Sequence, residues 1–397
     1  MSDYNFKVKI IGLLDMLAFK AIVPKRKAIL DAGPDKKITG IYGANLLAAK
    51  LHPKKQEMKI SEITDIPGAD AKHYILKGNE LAVFRAGQYI AVELNIGGSV
   101  LSRAYTLCSD PLKAKEGVYE LAIKRTEDGF ASAWILDNWK VGDTVTASGP
   151  EGFCYYESLR DEPRVIGVAG GSGITPLLSM ARAIASGAED FDLTILYGSR
   201  TEDSIMLKEE LDGLVASSDR IKVIYILSEE EKEGYEHGFI TAELIKKYAP
   251  EGPYSVFMCG PDAMYSFVGK ECEKLGLDKK HVRKEATPAP ASPAVFPDYP
   301  GNIEKEFTLT LKIYGEELKV PMKAQESVLT ALDRAGIKAN AHCRGGECGF
   351  CRTKLLSGEY FIPAQFDKRR MADDEGGYIH PCCTYPLSDM SLLLWHE

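Results

Sequence analysis

The sequence lacks a long apolar run. The longest one, IIGLLDMLAFKAIV at residues 10–23, has 14 residues and contains Asp15 and Lys20, whereas a membrane-spanning helix needs about 20 apolar residues. The run also lacks the small-residue cleavage site of a signal peptide. These absences argue against a transmembrane segment and a secretory leader, and they predict a cytoplasmic protein.

An excess of positive charge is lacking as well. The formal net charge of −8 argues against a nucleic-acid-binding protein as a whole. The charge is uneven, because residues 1–60 hold twelve Lys/Arg against five Asp/Glu. A basic arm on an acidic body predicts either docking to an acidic surface or a solvated surface that folds back on its own domain.

Familiar catalytic arrangements of side chains are also missing. No Ser/His/Asp set and no paired-carboxylate spacing stands out, and the seven histidines form no ligand pattern. His342 and His380 are expected to pack rather than to bind a metal. The nine cysteines are poorly explained by disulfides, because three of them fall within nine residues. Clustered thiolates of this kind need a reducing compartment.

The cysteine-rich stretch CRGGECGFC is the first positive signal. Its spacing is Cys343-x4-Cys348-x2-Cys351, and Cys382 and Cys383 follow after 30 residues in HPCCTYP. This C-x4-C-x2-C…C spacing is that of a plant-type 2Fe–2S cluster, whereas structural zinc more often uses two separated cysteine pairs. The glycines of the stretch let the backbone direct amides at sulfur. The spacing therefore predicts a 2Fe–2S cluster, with a zinc site or an inert loop as weaker alternatives.

Length and pattern predict several domains. A chain of 397 residues exceeds one ordinary core. Short strands between Gly/Asp turns predict an antiparallel β-barrel, and the alternating strands and helices that follow predict an α/β doubly wound parallel sheet. After a proline-rich linker, a hairpin and a helix precede the cysteines. The predicted segments are a basic N-terminal extension at 1–57, the barrel at 58–157, the nucleotide domain at 158–285, the Pro/Ala linker at 286–303 and the C-terminal domain at 304–397.

The C-terminal segment resembles plant-type ferredoxin domains, which have an α+β (β-grasp) fold. In that family the fourth cysteine usually sits in C-x-x-Y-P or a close variant, and Cys382-Cys383-Thr384-Tyr385-Pro386 fits this pattern. The resemblance implies that Cys382 is the fourth metal ligand. Cys383 is its neighbour and could exchange roles with it.

Three motifs over residues 58–285 occur in the order of another family. RAYT at 103–106, GFAS at 129–132 and SGPEGF at 148–153 together resemble the ferredoxin–NADP reductase superfamily. The resemblance implies a flavin, with Tyr105 against its ring and Thr106 near its reactive nitrogen. Arg103 would neutralise a flavin phosphate, and Gly129 and Ser132 would hold the pyrophosphate. FAD is favoured over FMN because SGPEGF resembles FAD-type members.

The same resemblance extends to a nucleotide site. AGGSGITP at 169–176 allows close backbone approach through its glycines, while Thr175 and Pro176 suit the Ncap and N1 positions of a helix. CGPDAM at 259–264 would lie near the nicotinamide, which makes Cys259 a candidate catalytic residue beside Tyr105 and Thr106. The candidate nucleotide-binding residues are Gly170, Gly171, Gly173, Thr175, Arg200, Cys259, Gly260 and Pro261.

The identity of the nucleotide and the cover of the flavin are less constrained. Arg200 is able to bind a 2′-phosphate, but Glu202, Asp203 and the acidic run 229–231 repel one. NADH is therefore favoured, and NADPH stays open. Relatives often place an aromatic residue over the flavin after an R-x-E pattern, whereas this chain has Ala286 there. Either the nicotinamide has easier access, or a linker residue such as Phe296 provides the cover.

The order of domains is similar to that of reductase components of oxygenase and hybrid-cluster-protein systems. It implies an NAD(P)H:acceptor oxidoreductase that splits a hydride into single electrons and passes them through FAD and 2Fe–2S. The partner would be a one-electron acceptor, a metalloenzyme docking around residues 344–347. One alternative is reverse flow from a ferredoxin-type donor to NAD+. The other is a redox subunit of a larger membrane-associated or multiprotein complex, assembled through residues 1–57.

Overall fold

The computed structural model describes residues 10–31, 43–51, 53–126, 130–285, 287–313 and 316–394. The chain forms two compact units. The large unit is Ala48–Ala289 with Leu329–Cys351, and the small unit is Met1–Leu47, Pro290–Val328 and Arg352–Glu397.

The chain begins with two helices, α1 (Ile10–Asp31) and α2 (Gly43–Leu51). Helix α2 ends two residues before Pro53, as expected of a residue that cannot continue the helical hydrogen-bond ladder. Among the described residues, no helix combines the length and the apolar character that crossing a membrane requires.

The first sheet of the large unit is antiparallel, with the strand order β4-β3-β6-β1-β2-β5. Side chains alternate along it: Gln56, Met58 and Ile60 are buried, while the intervening Glu57 and Lys59 face solvent. The sheet is the predicted antiparallel flavin-domain sheet, and helix α3 (Phe130–Asn138) packs near β5. The strands are β1 (Gln56–Asp65), β2 (Ala71–Lys77), β3 (Tyr89–Ile96), β4 (Ser99–Thr106), β5 (Val118–Lys124) and β6 (Thr144–Ala147).

The second sheet of the large unit is parallel, with the order β10-β9-β8-β7-β11-β12. Its central strands β7 and β11 are almost continuously buried apolar runs, as a sheet covered on both faces requires. The chain runs outward from β7 to β10 on one side and returns to β11 on the other, so β7 and β11 flank the topological switch point where such sheets bind ligands. The elements are β7 (Arg164–Gly170), α4 (Ile174–Ala185), β8 (Asp192–Ser199), α5 (Lys208–Ser217), β9 (Ile221–Leu227), β10 (Glu236–His237), α6 (Ala242–Tyr248), β11 (Ser255–Cys259), α7 (Asp262–Lys274) and β12 (Val282–Lys284).

The small unit contains a mixed sheet with the order β14-β13-β19-β15-β17 and a two-stranded sheet of β16 and β18. This α+β arrangement agrees with the ferredoxin-type prediction. The elements in this part of the chain are β13 (Glu306–Ile313), β14 (Glu316–Lys323), α8 (Val328–Arg334), β15 (Thr353–Ser357), β16 (Tyr360–Phe361), α9 (Met371–Glu375), β17 (Tyr378–Ile379), β18 (Tyr385–Pro386) and β19 (Met390–Leu393). Short 3-10 helices lie at Pro111–Glu116, Gly171–Gly173, Glu202–Ser204, Lys279–His281, Pro293–Val295 and Pro381–Cys383.

Phe296 has a structural role in the small unit. Its side chain is buried, and its ring lies about 6 Å from those of Phe361, Phe366 and Tyr385. The idea that Phe296 provides cover for a flavin therefore gains no support, because its ring is already enclosed by this aromatic cluster. Ala286, the other residue of that argument, lies outside the described residues.

Candidate functional site

Strand β4 carries the RAYT motif beside β3. Arg103 donates from Nη1 to the carbonyl oxygen of Ser102 at 2.8 Å, and among the described residues it has no carboxylate partner within ion-pair distance. Burial, followed by the nearby charge of Arg344, lowers the pKa of Arg103 to about 10. A partly buried guanidinium that has no carboxylate partner is suited to donate hydrogen bonds to a flavin phosphate and to neutralise its charge.

Tyr105 lies two residues further along the same strand and packs against the core of the first sheet. Burial raises the pKa of its hydroxyl above the ordinary value, so the ring is neutral. A neutral aromatic residue next to Arg103 fits the predicted contact with a flavin ring.

Thr106, at the end of β4, is joined to two distant residues. Its Oγ1 donates to Oε1 of Glu285 at 2.5 Å, and the Cys259 thiol donates to Oε2 of the same carboxylate at 2.7 Å. Strands β11 and β12 create this meeting, since Met258 pairs with Lys284 and the next residues of both strands are Cys259 and Glu285. Two of the predicted catalytic residues thus meet at a carboxylate that the sequence had not singled out.

The environment of this trio favours uncharged forms. Burial raises the pKa of Glu285, against the opposing effect of the hydrogen bonds from Cys259 and Thr106. Burial and the neighbouring Glu285 raise the pKa of the Cys259 thiol well above its usual value. Cys259 is therefore a thiol donor rather than a thiolate nucleophile.

The two nucleotide motifs meet at the switch point between β7 and β11. A Cβ on Gly173 would lie 2.0 Å from the carbonyl oxygen of Cys259, so only glycine allows this approach. Gly171 has φ +55 and its carbonyl accepts from the Tyr197 hydroxyl at 2.9 Å. The structure brings together Gly170, Gly171, Gly173, Cys259, Gly260 and Pro261.

The expected cap of helix α4 is wrong in detail. The helix begins at Ile174 with Gly173 as its Ncap, so Thr175 and Pro176 lie inside the first turn. Thr175 Oγ1 donates to the carbonyl of Ser172 at 3.1 Å. The 3-10 turn Gly171–Gly173 runs directly into the helix, which moves the start of the helix forward.

The predicted pyrophosphate residues are only partly described. Ser132 is buried in the first turn of α3, and its Oγ accepts a hydrogen bond from the Thr126 amide at 3.1 Å. Gly129 lies outside the described residues. The binding role of these two residues remains a prediction.

Arg200 follows β8 on the surface and is 80% exposed. Its Nε lies 3.6 Å from Oε1 of Glu229. Glu202 accepts from Lys232 and from the Tyr235 hydroxyl, and its amide donates to Glu230 at 2.8 Å. The only cation predicted to bind a 2′-phosphate thus already faces a carboxylate.

The cysteine loop curls its amides toward sulfur. The amides of Gly345 and Cys348 each lie 3.4 Å from Sγ of Cys343 and donate to it. Arg344 lies between Cys343 and Gly345, and its φ of +57 gives the loop a left-handed turn at this residue. Cys343 and Cys351 are buried, and Cys348 is half-buried. Preformed amide donors around sulfur are the arrangement that stabilises bound thiolates.

Cys382 and Cys383 are adjacent cysteines of the small unit. Both are buried in the 3-10 helix Pro381–Cys383. The Cys383 thiol donates to the carbonyl oxygens of Phe366 and His380, at 3.6 and 3.5 Å. A thiol that donates its proton to carbonyls is held in its protonated form, which is the wrong form for a metal ligand.

The cysteine loop also contacts the first sheet within the large unit. Lys338 pairs with Glu93 at 2.6 Å, and the Ser102 hydroxyl donates to the carbonyl of Ala341. His342 Nδ1 lies 2.6 Å from Oε1 of Glu151, and its ring stacks on Phe350 at 4.1 Å. His342 therefore packs, as predicted, and it does so against the SGPEGF segment.

Arg344 is not available for docking a partner. It pairs with Asp333 at 2.6 Å, and its side chain is only 11% exposed. The expectation of an exposed docking segment from Arg344 onward is corrected: Glu347 and Phe350 are the exposed residues of this loop.

A cavity of about 280 Å³ in the large unit is shared by these parts. The first sheet contributes Tyr89 and Glu151, and the end of β12 contributes Glu285. The cysteine loop contributes Cys343 and Cys348 to the same lining. Glu285 and two of the four candidate cluster ligands thus line one cavity, together with residues of the first sheet.

Three family models match successive parts of the chain. The oxidoreductase FAD-binding domain matches residues 58–156, the oxidoreductase NAD-binding domain matches 168–270, and the 2Fe-2S iron-sulfur cluster binding domain matches 311–387.

Individual relatives agree with this order. The glycine betaine monooxygenase reductase subunit of Chromohalobacter salexigens is 27% identical over 79% of this chain and 88% of its own. NADH-cytochrome b5 reductase 1 of Candida glabrata is 33% identical over 60% of this chain and 86% of its own. The structure of phthalate dioxygenase reductase, described as modular for electron transfer from pyridine nucleotides to 2Fe–2S, superposes with a TM-score of 0.61 at 26% identity, covering 86% of this chain and 98% of that one.

Fold, motifs and relatives together define an NAD(P)H-dependent reductase with a flavin domain and a 2Fe–2S domain. The chain belongs to the ferredoxin–NADP reductase superfamily, as a member with a C-terminal plant-type ferredoxin domain.

Proposed function

We propose that this reductase oxidises NADH and delivers single electrons to a partner metalloenzyme. The carrying observation is the shared cavity, which places the Glu285 site and the cysteine loop against one space. When bound, the flavin accepts a hydride and releases its two electrons singly, and the cluster carries one at a time. Several relatives are named as reductase components of monooxygenases, which favours a terminal oxygenase as the acceptor.

The flavin site follows from β4. Arg103 supplies the positive charge for a phosphate, and Tyr105 supplies a neutral ring for stacking. Glu285 orients the Thr106 side chain by accepting a hydrogen bond from its hydroxyl. With Gly129 and Ser132 on the pyrophosphate, these residues make up the proposed FAD site.

Glu285 acts as a positioning residue. Its two oxygens hold the Thr106 hydroxyl and the Cys259 thiol at once, which fixes both groups beside the switch point. The nicotinamide is proposed to enter beside Cys259, over the close-packed segment formed with Gly173.

NADH is the proposed donor because Arg200 faces Glu229. An additional 2′-phosphate would be placed near a cluster of carboxylates, and like charges at short distance disfavour it. Arg200 would have to leave its partner to bind that phosphate.

The proposed cluster ligands are Cys343, Cys348, Cys351 and Cys382. The first three have the plant-type spacing, with amides already directed at Cys343. Cys382 is preferred over Cys383 because the Cys383 thiol is committed to two carbonyl oxygens.

Anaerobic titration with NADH and with NADPH tests this function. We expect NADH to bleach first the flavin absorbance and then that of the cluster, and to do so faster than NADPH. If neither chromophore bleaches with either nucleotide, the proposed function is wrong. A clear preference for NADPH would overturn only the choice of nucleotide.

A further inference from the structure

Helix α1 presents apolar side chains to solvent. Leu14, Leu17 and Ile22 are 61%, 57% and 51% exposed, and Ala18 and Ala21 are exposed as well. Their spacing of three, four, seven and eight residues from Leu14 puts all five on one side of the helix. An apolar sector that no other described residue covers indicates a binding surface.

The same helix carries an excess of positive charge. Lys20, Lys25 and Lys27 are exposed, and none of them forms an ion pair within the described part of the chain. With Arg26 they give α1 four cations against two carboxylates, Asp15 and Asp31, so the helix has a net positive charge. The surface that complements α1 is therefore apolar in part and negatively charged in part.

Helix α2 repeats the pattern on a smaller scale. Leu46, Leu47 and Leu51 are 59%, 58% and 46% exposed, and Lys50 lies among them. The cations that follow Pro53, beyond the end of α2, are not equivalent to those that follow Pro24, because Lys55 pairs with Glu93. Helix α2 therefore adds exposed apolar side chains, whereas most of the cations of the surface lie on α1.

An anionic lipid surface is the partner with this chemistry. A helix of 22 residues is about 33 Å long, yet its cations prevent it from crossing the hydrocarbon core, in agreement with the absence of a spanning helix among the described residues. Apolar side chains entering the acyl boundary beside lysines in the headgroup layer are the features of an interfacial anchor. We propose that α1 binds this reductase to the surface of anionic membranes, lying in the plane of the interface.

Vesicle sedimentation of the full-length, cofactor-loaded protein tests the proposal. The probes are phosphatidylcholine vesicles with and without phosphatidylserine. Because each lysine near an anionic surface strengthens binding about fivefold, replacing Lys20, Lys25 and Lys27 by Gln is expected to weaken binding to the anionic vesicles about a hundredfold. The double variant Leu14→Glu/Leu17→Glu is expected to abolish it.

Matched controls separate the helix from surface chemistry in general. Leu159→Glu/Val141→Glu changes two side chains that are 96% and 62% exposed elsewhere. Lys77→Gln/Lys140→Gln removes two exposed cations outside α1. Both control proteins are expected to bind vesicles like the unchanged protein, and all variants should keep their NADH oxidation, which shows that they are folded.

Three results would overturn the proposal. Equal binding to neutral and anionic vesicles would remove the role of the lysines. No binding to either vesicle would leave an acidic protein as the partner instead. Self-association without lipid that Leu14→Glu/Leu17→Glu dissolves would assign the apolar sector to a second copy of this chain.

Discussion

Glu285 is the single residue on which the proposed hydride site depends most. It is half-buried and accepts hydrogen bonds from both Thr106 and Cys259. Replacing it with Gln keeps the size but sets an amide NH2 group against one of the two donors, and a polar group left without its partner costs about 1–3 kcal/mol. We expect Glu285→Gln to slow flavin reduction by NADH about 10- to 100-fold in anaerobic stopped-flow measurements. Glu251→Gln, at an exposed position before β11, is the control, and an unchanged rate in Glu285→Gln would contradict the assignment.

Cys382 and Cys383 offer a second test at the same scale. Because the Cys383 thiol donates to two carbonyl oxygens, Cys383→Ser should retain the cluster. Cys382→Ser should lose it, or bind it with an altered spectrum. Iron and sulfide content with the visible absorbance of both variants decides between them. The opposite outcome would make Cys383 the ligand.

Nucleotide choice rests on the contact between Arg200 and Glu229. An exposed pair of this kind contributes about 1 kcal/mol or less, so Glu229→Gln should raise kcat/KM for NADPH up to about fivefold while leaving that for NADH nearly unchanged. The neighbouring Glu231→Gln is the matched control. If the NADPH value does not rise, Arg200 does not face the 2′ position.

At the scale of elements, a buried charge network joins the first sheet to helix α4. Glu120 on β5 lies 3.1 Å from His73 on β2 and 2.7 Å from Arg182 on α4. Burial opposes the protonated form of His73, but its hydrogen bonds to Cys108 and Glu120 prevail and raise its pKa to about 9. Burial likewise opposes ionised Glu120, but His73, Arg182 and Lys113 hold its pKa below the usual value.

These shifts set the pH range of stability. Because the pKa of His73 is raised by folding, protonated His73 contributes its full stabilisation below about pH 6.5, and this contribution is lost as the pH rises through about 9. Because the pKa of Glu120 is lowered by folding, ionised Glu120 stabilises the fold at pH values above the ordinary carboxyl pKa, and this stabilisation is lost in acid. His73→Gln should therefore cost up to about 3 kcal/mol near pH 6 and little near pH 10. Thermal unfolding across this range measures it, with His237→Gln as the surface control; a cost that does not depend on pH would refute the coupling.

The elements themselves could largely be predicted from the sequence, because their signals are local. Alternation gave the strands of the first sheet, apolar runs gave the parallel sheet, and cysteine spacing gave the cluster loop. The partners of the site could not be predicted in this way. Thr106 and Glu285 are 179 residues apart, and His342 and Glu151 are 191 apart. Such pairs arise from strand register and tertiary packing, on which local pattern carries no information. The R-x-E pattern, in which Glu285 is the glutamate, was the one signal in the sequence that pointed to this residue.

At the scale of the large unit, we expect electron transfer to depend on the contact between the cysteine loop and the first sheet. Gly336 shows how close that contact is, since a Cβ there would lie 2.9 Å from the carbonyl of Gly98. Charge assists it, because Glu93 accepts from both Lys338 and Lys55. Only Lys338 belongs to the segment that carries the cysteines, so the two lysines form a matched pair for a test.

Lys338→Glu places a carboxylate opposite Glu93 at the contact between the cysteine loop and the first sheet. Lys55→Glu also places a carboxylate opposite Glu93, but from the residue just before β1 and not from the cysteine loop. An exposed pair is worth about 1 kcal/mol, so we expect Lys338→Glu to lower NADH-dependent reduction of cytochrome c, a one-electron acceptor, about fivefold or more. Reduction of ferricyanide directly from the flavin should be unaffected in both variants, and Lys55→Glu should leave both activities intact. Because surface charges are screened by salt, the difference between the two variants should shrink at high ionic strength. Equal losses in the two variants would mean that Glu93 matters for the first sheet alone, and the cysteine loop would then be held by its backbone contacts.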